Sequence, residues 1–285
     1  MAQLKPVDGT DVYLWKYLPS FAAAATLTAL FTVVTIAHCW RMVITRTWYC
    51  SVFAIGGLFQ IIGYGVRILA HYHTNQIAPY VIQSIFILLA PVFYAASIYT
   101  ALGRLIRSIH GDRFSIVRPG RMTKIFVLGD WLSLMVQGNA AGLTSKASTR
   151  KIGEAIITAG LFIQLVIFGF FIVAAVIFHK RMRREVTKRS EFRPDIPWRQ
   201  GMYMIYACSC LIMVRCVFRV AEYIMGTEAY LLSHEWPMYV FDAALMWLVQ
   251  LIFLIWFPHH FKVPQEADVE LYSELRSETA NDQPN

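Results

Sequence analysis

Apolar residues along this chain gather into seven long runs, and the polar residues collect between them in short, mostly basic connections. The runs cover residues 18–39, 48–70, 78–103, 125–143, 152–178, 202–223 and 237–257. A helix rises about 1.5 Å per residue, so each run is long enough to cross a hydrocarbon core of about 30 Å with some tilt. Backbone groups in lipid find no water, which makes a helix the predicted form of every run. The expected fold is an all-α membrane protein, a bundle of seven transmembrane helices. The fourth run is the least apolar, since it carries Asp130, Gln137, Asn139 and three glycines.

Composition points the same way. The chain is 57% hydrophobic and 15% charged, with a mean hydropathy of +0.48. A soluble domain holds about 25% charged residues. Nearly all of the 285 residues go into spans and their connections, leaving no room for a separate soluble catalytic domain. The expected organisation is an extracellular tail at 1–17, a seven-helix domain at 18–262 and a disordered acidic cytosolic tail at 263–285. The first seventeen residues are polar, so no cleavable leader is expected and the first span would serve as its own insertion signal.

Basic residues orient this bundle. Lys5, Lys16, Lys146, Arg150 and Lys151 fall on the N-terminal side of the membrane, whereas eighteen Lys and Arg fall on the other side, concentrated at 104–124 and 180–199. Positive charge is retained in the cytosol, which predicts the N-terminus outside and the C-terminus cytosolic. The net charge of +8 therefore needs no nucleic-acid partner, and none is expected. The two basic stretches would instead meet anionic lipids of the inner leaflet. Trp15, Trp40, Trp48, Trp198, Trp236 and Trp256 sit at span ends, where an amphipathic ring suits the headgroup layer. None of the five cysteines falls on the oxidising side, so no structural disulfide is expected.

The candidate chemistry lies in the charges within the spans. Arg67, Arg215 and Arg219 stand against Asp130, Glu222 and Asp242, three cations against three acids. Each alone at mid-bilayer costs at least ~2.5–3.5 kcal/mol, so mutual pairing is expected. Helical spacing puts Gln60, Tyr64 and Arg67 on one face of the second span and Arg215, Arg219 and Glu222 on one face of the sixth. By depth, Arg67, Gln83, Arg219, Glu222 and Asp242 share an outer layer, Arg215 lies near the middle, and Asp130 lies in the inner third of the fourth span. Such a network either fixes helix register or lines a polar cavity for a headgroup or ion; both can hold together. Gln137 follows Asp130 by seven residues on the fourth span.

Other chemistry has thin support. A zinc site would need His71, His73 and His234 to converge. There is no phosphate-cradling Gly-rich loop with its lysine, no serine elbow, and no lysine in the last span. No cofactor is expected, and the chain does not read as an enzyme.

Six runs in order resemble the fungal RTA-like family, also called the lipid-translocating exporter family. They are I-G-Y-G-V-R at 62–67, Q-S-I-F-I-L-L-A-P-V-F-Y-A-A-S-I-Y at 83–99, G-D-W-L-S-L-M-V-Q-G at 129–138, G-L-F-I-Q-L at 160–165, F-R-V-A-E-Y at 218–223 and Y-V-F-D-A at 239–243. Arg67, Gln83, Pro91, Asp130, Gln137, Arg219, Glu222 and Asp242 match the family pattern. Gln60 departs from it, standing where the family commonly has an acid. The resemblance implies a multi-pass protein, expected at the plasma membrane, that translocates or exports lipids or toxic amphipaths such as sphingoid bases and so confers resistance to membrane-active compounds. The candidate substrate-binding set is Arg67, Gln83, Arg219, Glu222, Asp242, Gln60, Tyr64, Asp130, Gln137 and Arg215. A seven-helix receptor or stress sensor is the alternative, though no acid-Arg-Tyr run closes the third span; a membrane-embedded zinc hydrolase is a minor one.

Overall fold

The computed structural model describes residues 19–72, 74–109, 111, 114–115, 119–143, 150–188, 198–225 and 234–258. The two tails and His73 lie outside these residues. Every long element among them is a helix: α1 (Phe21–Thr45), α2 (Ser51–Tyr72), α3 (Ile77–Ser108), α4 (Pro119–Leu143), α5 (Arg150–Lys188), α6 (Trp198–Met225) and α7 (Trp236–Ile255). All but α4 are long and apolar enough to cross a membrane. Asp130, Ser133 and Gln137 lower the hydropathy of α4 but are buried against neighbouring helices.

Helix ends follow local chemistry. Ser20 caps α1, its hydroxyl accepting from the Ala23 amide. At the other end Arg46 takes a left-handed conformation (φ 52°) and its amide closes on the carbonyls of Met42 and Val43. α3 runs unbroken through Pro91, and α5 runs to Lys188. The basic stretches at 104–124 and 180–199, expected as loops, are thus partly helical. Arg104 lies on α3 with its guanidinium 4.0 Å from the centre of the Tyr49 ring.

The helices form a closed ring in chain order. Each packs on the next, α7 returns to α1, and α3 additionally reaches α6 through the middle. Close approach depends on glycine: a Cβ at Gly57 on α2 would stand 2.4 Å from Thr35 Oγ1 and 2.7 Å from Gln250 Nε2. That spacing lets α1, α2 and α7 meet around one glutamine. Inside, Phe31 stacks on Tyr64 and Phe53 on Phe253, while Tyr99, Phe126, Phe168 and Phe171 form a second aromatic group. Val33, Ile36, Leu58, Ile62, Phe162 and Val173 point outward, the apolar exterior a bilayer requires. All five cysteines are free.

Candidate functional site between α2, α6 and α7

Three arginines enter the bundle interior, each meeting a carboxylate. Arg215 on α6 donates from Nε to Asp242 Oδ1 on α7 at 2.5 Å, and both side chains are buried. One turn along α6, Arg219 Nη1 meets Glu222 Oε2 at 2.8 Å. Arg67 on α2 donates to Glu235 Oε1 at 2.7 Å and to the Tyr239 hydroxyl at 3.1 Å. Tyr239 in turn donates to Glu235 at 2.6 Å. The Ser20 amide reaches both oxygens of the same carboxylate at 3.0 Å. Glu235 therefore ties the start of α1 to α2 and α7.

The pairing differs from the three-against-three expectation in two places. Arg67 takes Glu235, which lies just before the last apolar run and outside the expected set of acids. Its position had a signal: Glu235, Tyr239 and Asp242 follow one another at helical spacing. Asp130 takes no arginine among the described residues. Its Oδ2 accepts from the Tyr99 hydroxyl at 2.8 Å, a partner the apolar context of α3 conceals. Glu154, in the first turns of α5, stands outside the expected balance altogether.

Residues Tyr239–Ala244 form a π-helical segment within α7. A π turn holds one extra residue, so it re-aims the side chains before it relative to those after it, and such turns occur often at functional sites. Here it contains Asp242 itself. Below it, Gln250 Nε2 donates to the Tyr94 hydroxyl at 2.7 Å and to Thr35 Oγ1 at 3.3 Å. His38 Nε2 bonds to the Gln250 carbonyl at 2.9 Å, Arg41 to the Leu254 carbonyl and Tyr49 to the Pro258 carbonyl. Carbonyls one turn apart at the end of α7 are thus held from α1 and from the short 3₁₀ turn before α2.

Several polar atoms of the charged layer are buried with no hydrogen-bond partner: both amide atoms of Gln60, the Tyr64 hydroxyl, Arg215 Nη2, Arg219 Nε and Asp242 Oδ2. Tyr64 is in electrostatic reach of Asp242, Arg67 and Arg215, and Arg219 is in reach of Asp242. Leaving such atoms unsatisfied costs about 1–3 kcal/mol each, more when charged. Donors and acceptors both stand ready, which suits water or a headgroup that carries both.

Two candidates, Asp130 and Gln137, fall elsewhere. Gln137 belongs to the α4–α5 seam, donating to Ser133 Oγ at 3.0 Å and Gln164 Oε1 at 3.3 Å, while Ser133 Oγ donates to the Gly160 carbonyl at 2.5 Å. Gln83 is buried on α3 with its Oε1 unpartnered, and its backbone carbonyl lies beside Gly63 of α2. The zinc reading gains nothing: His71 Nδ1 bonds to the Pro19 carbonyl at 2.6 Å, and no group of three possible ligands occurs among the described residues.

The chain matches the family described as RTA1 like protein over residues 53–265. Protein RTA1 of Saccharomyces cerevisiae is 34% identical over 217 residues, covering 75% of this chain and 68% of that protein. Protoporphyrin uptake protein 1 of the same organism is 32% identical over 293 residues, 89% of this chain and 95% of the other. The yeast sphingoid long-chain base transporter RSB1 is 24% identical over 295 residues, covering 90% and 76%. No solved structure matches.

Proposed function

The chain belongs to the RTA1-like family of fungal multi-pass membrane proteins, and from that premise we propose that it moves an amphipathic lipid or lipid-like compound across the bilayer. Relatives named for sphingoid-base transport and for protoporphyrin uptake support an amphipathic cargo. The observation that carries the reading is the buried Arg215–Asp242 pair with its surplus donors and acceptors. A pair kept only for helix register would have its remaining atoms satisfied. This one leaves Asp242 Oδ2 and Arg215 Nη2 buried without a hydrogen-bond partner among the described residues.

A cationic headgroup would take Asp242 Oδ2 and draw on the Glu222 carboxylate, exchanging water for fixed charges, while its chain stays among apolar side chains. Arg215 and Arg219 hold the carboxylates in position between visits. The Glu235 hub ties α1, α2 and α7 together at the start of α7, and the carbonyl contacts tie α7 to α1 toward its end. The π segment of α7 is the place where the helix can re-aim Asp242. Seven apolar runs support seven spans, and the basic-residue count supports an N-terminus outside.

Reconstitution tests the reading directly. Purified protein in vesicles should move a fluorescent long-chain amino alcohol between leaflets faster than protein-free vesicles. A receptor or sensor would move nothing, and that outcome would replace transport with signalling.

A further inference from the structure

Two orphaned groups of complementary chemistry lie at one level of the charged layer. The Tyr64 hydroxyl on α2 and Asp242 Oδ2 on α7 are buried, and neither has a hydrogen-bond partner among the described residues. Contacts on either side of them fix how α2 and α7 face each other. One turn outward, Arg67 Nε meets the Tyr239 hydroxyl at 3.1 Å. Further inward, the Phe53 and Phe253 rings stack with centres 4.0 Å apart. Counting inward from the first contact at helical spacing places Tyr64 opposite Asp242, and the two are in electrostatic reach. A phenol donates and a carboxylate accepts, yet these atoms do not bond to each other. The Tyr64 ring lies flat against Phe31 of α1, with ring centres 5.6 Å apart and planes 7° from parallel. Asp242 is anchored through Oδ1 by Arg215 at 2.5 Å. Each group is thus held by a different helix, and the gap between donor and acceptor stays open.

We infer that Tyr64 is the specificity residue of this site, reading a hydroxyl that stands beside the amine of the cargo. The ammonium donates to Asp242 Oδ2, and the Tyr64 hydroxyl donates to the oxygen on the neighbouring carbon. The inference deepens the transport reading and rests on it. The gap calls for one small group that donates at one end and accepts at the other, which an amino alcohol does with adjacent atoms. An amine without the hydroxyl satisfies Asp242 and leaves the buried Tyr64 donor unmatched. A site built around such a donor discriminates against the analogue that cannot meet it. Arg215 Nη2 and Arg219 Nε are also spare, and they can donate to a second hydroxyl. The rival ligand is an acid, which would take those two donors and be repelled by Asp242.

The test compares two fluorescent probes of equal chain length, a long-chain amino alcohol and the long-chain amine that lacks the hydroxyl. Equilibrium binding to the purified full-length protein in detergent reads the site without requiring transport. Wild-type protein should bind the amino alcohol about tenfold more tightly than the amine. Tyr64→Phe keeps the ring on Phe31 and removes only the hydroxyl, so it should bring that ratio close to one. A merely structural role for Tyr64 would weaken both probes alike and leave the ratio standing. A wild-type ratio near one overturns the assignment before any variant is made. A ratio unchanged in Tyr64→Phe shows that the gap holds water only, and also overturns it. Tighter binding of a long-chain carboxylic acid than of the amino alcohol gives the site to an anion and overturns it too. Flux in vesicles is read separately. If the ratio collapses in Tyr64→Phe while vesicles move neither probe, the hydroxyl site stands and the transport reading fails.

Discussion

The two halves of the bundle handle buried polarity in opposite ways. On the α2–α6–α7 side, arginines and carboxylates pair across and along helices, and polar atoms remain unmatched around them. On the α3–α4–α5 side, the network of Tyr99, Asp130, Ser133, Gln137 and Gln164 runs through hydroxyls, amides and one carboxyl, with no ion pair among the described residues. The second pattern is less costly, since hydroxyls and amides hold α4 on α5, although Asp130 Oδ1 there is also buried without a partner among the described residues. The first is expensive. The proposed binding role gives that cost a purpose, while the other side's hydrogen bonds serve assembly.

Substitutions should separate these roles. The largest effect is expected for Asp242→Ala, which leaves Arg215 buried without a partner; such removals cost about 3–5 kcal/mol. Thermal unfolding in detergent should show a large fall in Tm, together with lost flux. Replacing both partners, Arg215→Met with Asp242→Leu, should recover most of that stability, because buried pairs are often no better than well-packed apolar residues. Flux should stay lost. If the double variant transports normally, the pair is only a register device.

Next comes Gly57→Ala. The new methyl would stand against Thr35 and Gln250, and overpacking of this kind costs about 1–3 kcal/mol. Its counterpart in the other half, Gly160→Ala, meets the flexible Gln137 side chain at 2.9 Å and should cost less. Paired melting curves check the order. The smallest effect is expected for Gln137→Leu, which removes bonds to Ser133 and Gln164. It should lower stability by about 1 kcal/mol and leave flux unchanged, whereas a transport defect would move Gln137 back into the site.

How much of this was legible follows from the same contrast. Long apolar runs gave the helices to within a turn at most ends, because hydrocarbon admits few alternatives. Charges deep in those runs pointed to Arg215, Arg219, Glu222 and Asp242, since isolated charge there is costly. Glu235 escaped because it borders the run, where an acid looks like a loop residue. Tyr99 escaped because a tyrosine in an apolar helix reads as packing until its hydroxyl is seen against Asp130. The π segment of α7 has no periodic signature, as one extra residue per turn is lost among so many apolar positions. Extension of α3 and α5 into the basic stretches was hidden by reading charge as loop.

The central claim is that Asp242 and Glu222 serve cargo as well as packing. Flux of the fluorescent long-chain amino alcohol should be compared in vesicles holding equal amounts of folded wild-type, Asp242→Asn and Glu222→Gln protein. Both substitutions keep side-chain shape and a hydrogen-bonding group. The account predicts flux reduced to near the protein-free rate in both. Wild-type rates in both variants would contradict it.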